Sequence, residues 1–174
     1  MTQTRGTSRA FTLLEAMVVV IVVGVLAVSA IPAANVMTGM NRAGATAEIV
    51  RSLELARARA MSTGRPHGVQ FSVTSQSMSP VWIASSGAAP TPTRSQLGTD
   101  EPSVQFATFG GAKLKTYQGG DGVSTAGVIW FAADGTPQSR SGGGALLGSW
   151  NADATLQVEG DAIVTVRRIT GLIE

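Results

Sequence analysis

Among the residues whose type and setting suit them to chemistry, Glu15 stands out. It is the one charge between Arg9 and Arg42, and the run Ala16 to Ala34 (AMVVVIVVGVLAVSAIPAA) follows directly. A run of that length, wound as a helix, can cross the ~30 Å hydrocarbon core of a bilayer. On insertion scales an acid costs roughly 2.5–3.5 kcal/mol at the centre of such a helix and less near its end, which the many Val, Ile and Leu residues offset at a few tenths each. A carboxylate inside apolar surroundings persists only when paired. An acid in that setting is a functional hypothesis by default.

The other chemically competent residues form no catalytic constellation. His67 is the only histidine and stands beside Pro66 at the entrance of an expected strand, which reads as a solvated edge position. Serines are abundant, yet none sits in a nucleophile-elbow context. The absence of Cys excludes disulfides, thiolate metal sites and a cysteine nucleophile. Asp100 and Glu101 lie in a Pro-containing loop and read as a solvated turn. Gly119-Gly120-Asp121-Gly122 lacks the EF-hand ligand series and opens no helix, so it reads as a plain loop rather than a calcium or phosphate cradle. No metal, no cofactor and no enzymatic activity are expected.

Charge argues against a nucleic-acid partner. Arg5 and Arg9 alone account for the excess of thirteen basic over eleven acidic side chains, so the rest of the chain carries no net basic field. Arg167 and Arg168 are the candidates for weak, salt-sensitive contacts to DNA, and on a strand they would point to opposite faces. Trp82, Trp130 and Trp150 are far apart with no interleaved basic stripe, which suits a core or subunit interface better than a stacking platform.

These residues must be positioned by two kinds of element. Met1 to Ala10 is a short basic leader free of acid, and its arginines fit a cytoplasmic location. The apolar helix that follows is interrupted by Gly24 and Pro32, both tolerated in membrane helices. Beyond Asn41 the pattern turns amphipathic, with Ile49, Leu53, Ala56 and Ala60 at helical spacing. Glu48 with Arg51 and Glu54 with Arg57 form i,i+3 pairs. Gly64-Arg65-Pro66 stops the helix. From Phe11 to Thr63 it would run ~80 Å at 1.5 Å per residue.

The remainder reads as β structure. Strands are expected over Gly68–Val73, Val81–Ala84, Val104–Phe109, Ala112–Tyr117, Val128–Ala132, Thr155–Val158 and Ile163–Val166. Asp134-Gly135 and Gly160-Asp161 are hairpin turns, and residues 85–103 and 119–127 are loops. The fold class is α+β: a long N-terminal helix, membrane-spanning in its first half and amphipathic in its second, packed on a C-terminal antiparallel β-sheet head. The expected divisions are a leader over 1–10, a transmembrane helix over 11–35, its amphipathic continuation over 36–64 and a head over 65–174.

The order basic leader, small residue, Phe11-Thr12-Leu13-Leu14-Glu15 and apolar helix resembles the class III signal of type IV pilins and type II secretion pseudopilins. Ala10 stands where that family usually has Gly. The resemblance implies cleavage between Ala10 and Phe11 by prepilin peptidase, N-methylation of Phe11, and pairing of Glu15 with the terminal amine of a neighbouring subunit. Gly24 and Pro32 resemble the pair that brackets a locally melted segment in assembled major pilins. Leu53 to Met61 closing on Gly64-Arg65-Pro66, Ile129-Trp130-Phe131-Ala132-Ala133-Asp134-Gly135, and the C-terminal hairpin ending Arg167 to Ile173 resemble the GspH/FimT group of FimU-like minor pilins and H-type pseudopilins.

Such a subunit would sit in the bacterial inner membrane before assembly, single-pass with its head in the periplasm. It would then join the tip or priming complex of a type IV pilus or type II secretion pseudopilus. Its partners would be other minor and major pilins, prepilin peptidase and the inner-membrane assembly platform. Some FimT-type pilins bind DNA through a C-terminal Gly-Arg-x-Arg motif, but the matching Gly171-Leu172-Ile173-Glu174 has neither arginine. Two rivals to the pilin reading exist. A secretory signal peptide would be cut after Ala27-Val28-Ser29-Ala30, placing Glu15 inside its h-region. A plain membrane anchor leaves Glu15 unexplained.

Overall fold

The computed structural model of the chain describes residues 13–84, 87–95, 98–122, 126–160 and 162–174, with side chains for all of these except 28–35. Helix α1 spans Leu13–Thr63. The chain divides into two compact units, residues 1–37 and 38–174. In the first, every described side chain from Leu13 to Ala27 is exposed.

In the second unit the rest of α1 buries one stripe, Ala45, Ile49, Leu53, Ala56 and Ala60, at the i, i+4, i+8 spacing of a helix face. Glu48 and Arg51 pair one turn apart on the solvent side, with Arg51 Nε donating to Glu48 at 2.8 Å. That bond holds the Glu48 carboxyl below its ordinary pKa. Arg57 does not pair with Glu54 as the spacing suggested, because its guanidinium donates to backbone carbonyls of the head. The helix ends where Gly64 enters the left-handed region at φ +65° and donates its N–H to the Ala60 carbonyl at 3.1 Å. Pro66 then bars continuation.

Among the described residues ten strands follow: β1 His67–Ser72, β2 Ser77–Trp82, β3 Thr91–Pro92, β4 Val104–Gln105, β5 Leu114–Gln118, β6 Ala126–Phe131, β7 Pro137–Arg140, β8 Leu146–Ser149, β9 Ala154–Val158 and β10 Ala162–Val166. They form two antiparallel sheets. One has the order β3-β2-β1-β6-β7-β8, with β4 also pairing β2; the other has the order β10-β9-β5. The buried stripe of α1 packs on both. Val69, Phe71, Met78, Ile129 and Phe131 come from the larger sheet and Leu114, Leu156, Val158, Val164 and Val166 from the smaller. Val81, Ile83 and Trp130 make a second, smaller apolar cluster. The expected fold class, a helix packed on antiparallel sheet structure, is the one observed.

Several local expectations change. Val104–Phe109 is not one strand: only Val104–Gln105 pairs with β2, and Phe106–Phe109 closes into a 3₁₀ turn capped by left-handed Gly110. The turn lets Phe106 bury completely, which a continued edge strand would not. The second strand lies earlier than Val81–Ala84, because its register is set opposite β1, from Ser72↔Ser77 to His67↔Trp82. Within the expected loop over 85–103, β3 pairs with β2 and Arg94 bridges Asp100. The strands β7 and β8 join the larger sheet without an alternating apolar pattern to announce them.

Candidate assembly site

In the helical segment of the first unit the described side chains from Leu13 to Ala27 are exposed. Leu13 is 80% exposed and Val20 70%, and exposed apolar surface on this scale marks an interaction site. Glu15 is exposed among these residues. Ala10 and Phe11 lie outside the described residues. Gly24 and Pro32 both lie within α1, whose backbone is helical at each, and Gly24 has open space around it. The described apolar side chains from Leu13 to Ala27 span about 22 Å at 1.5 Å per residue. Among the described residues no helix is long and apolar enough to cross a membrane, while the sequence continues apolar to Ala34.

In the second unit, polar side chains of α1 clasp the head. Arg57 Nε donates to the Gly135 carbonyl at 3.1 Å and its Nη2 to the Thr170 carbonyl at 2.8 Å. One side chain thus ties the helix to both the β6–β7 turn and the C-terminal turn. Gly135 is left-handed at φ +80° and lies against Met61 and Arg57, so a side chain there would be strained and crowded. Two residues further along α1, Arg59 makes a bidentate ion pair with Glu101, with Nη1 to Oε2 at 2.7 Å and Nη2 on Oε1. Glu101 is therefore no solvated turn residue; it fixes the 98–103 segment to the helix. Asp100 beside it is exposed and faces Arg94.

Arg167 and Arg168 lie beyond the end of β10, so strand alternation does not govern them. Arg167 is held between Asp153 at 3.1 Å and Glu174 at 3.0 Å, and both contacts raise its pKa, Glu174 the more. The Arg168 N–H donates to Asp153 at 2.8 Å and its guanidinium to the Asn151 carbonyl at 2.9 Å. That backbone bond, followed by Arg167, holds the Asp153 carboxyl below its ordinary range. Acid and base interleave here, so the patch offers phosphates little net positive charge.

His67 departs most from expectation. It is 7% exposed and sits inside the larger sheet, paired with Trp82 on one side and Phe131 on the other. Desolvation first, and then the Arg59 charge, lower its pKa. Its ring stacks on Trp82 at 6.3 Å, and Arg65 lies over Trp82 at 5.5 Å. The sequence signal was the adjacency of Arg65-Pro66-His67 to the helix stop, which opens a strand directly under the helix end rather than at an edge. Of the tryptophans, Trp130 and Trp150 are buried as expected, while Trp82 is half-buried.

Comparison with known proteins matches these regions separately. The prokaryotic N-terminal methylation motif matches residues 5–31. Among solved structures, the minor pseudopilin EpsH from the type 2 secretion system of Vibrio cholerae superposes with a TM-score of 0.55 at 13% identity, over 77% of this chain and 94% of that one. No curated protein matches the sequence. The chain thus carries a prokaryotic N-terminal methylation motif together with the fold of a minor pseudopilin. The motif implies a precursor held in the inner membrane by its N-terminal helix.

Proposed function

We propose that this chain is a minor pilin or pseudopilin, a structural subunit of the tip or priming complex of a type IV pilus or type II secretion pseudopilus. The observation that carries the reading is the uncovered apolar segment Leu13–Ala27, interrupted by the single acid Glu15. The second unit buries its own core, so that segment is unnecessary for folding the head and is available for packing against like helices.

In this reading prepilin peptidase cuts between Ala10 and Phe11 on the cytoplasmic side and methylates the new Phe11 amine. The helix over 11–35 anchors the subunit, 36–64 carries it to the head, and 65–174 lies in the periplasm. The assembly platform then draws helices of minor and major subunits into one bundle. There each Glu15 carboxylate neutralises the Phe11 amine of a neighbour, so that neither charge is buried alone. Gly24 and Pro32 are where the helix would melt if the filament requires it, since Gly weakens a helix and Pro lacks a backbone donor.

The test is the intact mass and first residue of the mature protein. A chain beginning with N-methylated Phe11 is expected. A mature chain beginning at Ile31 would mean an ordinary signal peptide and would overturn the proposal.

A further inference from the structure

Beyond the end of α1 the head holds a cluster for which assembly through the N-terminal helix has no use. Thr63, Arg65, His67, Trp82, Thr93 and Arg94 line a surface cavity of about 410 Å³, within the size range of small-ligand sites. The half-buried indole of Trp82 forms an apolar wall, with the Arg65 guanidinium 5.5 Å from its ring centre. Arg94 is exposed, and its contact with Asp100 is a loose 3.5 Å between two solvated side chains. His67 and Thr93 are 7% and 4% exposed, and His67 Nδ1 and Thr93 Oγ1 have no hydrogen-bond partner among the described residues. Buried polar atoms without a partner are rare in folded proteins. Here two occur on residues that line the same cavity.

The chemistry of the lining selects a ligand class. The two exposed guanidiniums can each donate hydrogen bonds to a ligand in the cavity, while His67 Nδ1 and Thr93 Oγ1 have almost no exposed surface of their own. Of the two nearby acids from the same loop, Glu101 is occupied by Arg59 and exposed Asp100 offsets only one of the two guanidiniums. A donor set with excess positive charge favours an anion, and the planar guanidinium fork matches a carboxylate. The indole wall favours a flat or apolar group beside that anion.

We propose that this cavity binds a carboxylate carried next to a flat apolar group, as at the C-terminus of a peptide ending in an aromatic residue. The site belongs to the head alone and stands or falls independently of how the N-terminal helix assembles.

Because His67 is the only histidine, its imidazole ¹⁵N resonances report on the cavity without ambiguity in the full chain held in neutral detergent. Titration with N-acetylphenylalanine is expected to shift them saturably. Its uncharged amide and acetate should each bind about 10-fold more weakly or worse. Arg65→Gln and Arg94→Gln, both at exposed positions, should each weaken the acid by about 10-fold without altering the fold. His67 signals unmoved by the acid through the millimolar range would overturn the proposal. Equal binding of the amide would remove the anion from it and overturn it as well. Equal binding of acetate would show that the indole wall contributes nothing, with the same consequence.

Discussion

The two units of this molecule use apolar residues in opposite ways. From Leu13 to Ala27 the side chains are nearly all apolar and all exposed, with one acid among them. From Ala45 to Ala60 the same helix spends its apolar residues on a single stripe that disappears beneath two sheets. The same kind of residue, in one continuous helix, therefore stabilises the monomer in one place and leaves surface to be covered in the other. Folding and assembly are separable, and substitutions should sort by unit.

The largest expected effect is Glu15→Leu. It makes the segment more apolar, yet in the proposed assembly it would leave the Phe11 amine of a neighbour without its counter-charge, a loss of order 3–5 kcal/mol for a buried pair. Incorporation into the assembled complex, read by co-purification with the other subunits, should fall at least about 10-fold. The near-ultraviolet circular dichroism of the head should not change. Incorporation at the wild-type level would collapse the contrast between the units. Next, Leu53→Ala should cost about 2–5 kcal/mol of head stability by opening a cavity beneath the sheets. Val20→Ala, in the exposed segment, should leave the denaturant midpoint of the head where it was.

A smaller effect is expected from Arg57→Ala, about 1–2 kcal/mol, because two backbone carbonyls lose a charged donor at a partly exposed site. Arg57→Lys should recover only part of it, since an ammonium cannot reproduce the fork that spans Gly135 and Thr170. The smallest concerns pH. The pKa of His67 is lower in the folded head than in the unfolded chain, so the unfolded state binds the proton more readily. The contribution is complete above the unfolded value of ~6.5 and is lost as pH falls through the depressed folded value. Comparing urea midpoints of wild type and His67→Gln between pH 8 and pH 5 isolates that component. Parallel curves would remove His67 as its source.

Much of the architecture was legible because it rests on strong local signals. The apolar run, the stripe from Ile49 to Ala60, the Gly64-Arg65-Pro66 stop and the β9–β10 hairpin each declare themselves through periodicity or turn chemistry. What escaped depended on tertiary placement. β7, Pro-Gln-Ser-Arg, has no apolar alternation, and its first three residues are buried because β6 and β8 flank it. Phe106 belongs to a β-rich run by propensity, but complete burial favoured a tight turn over two more strand residues. His67 and Glu101 look solvated by composition. Only the packing of α1 over β1 and the 98–103 segment brings one into the sheet and the other onto Arg59. The cluster around Trp82 was invisible for the same reason, since Arg65, Trp82 and Arg94 are joined by strand pairing rather than by spacing.

The Arg57 clasp has a consequence for the timing of biogenesis. It draws on Gly135 and on Thr170, 113 positions further along the chain than Arg57, so it cannot close while the polypeptide is still emerging. A nascent molecule must keep the helix end unclasped until its final hairpin has been made. Maturation of the head is therefore a late event, and a ribosome stalled before residue 170 would leave an incompletely fastened domain.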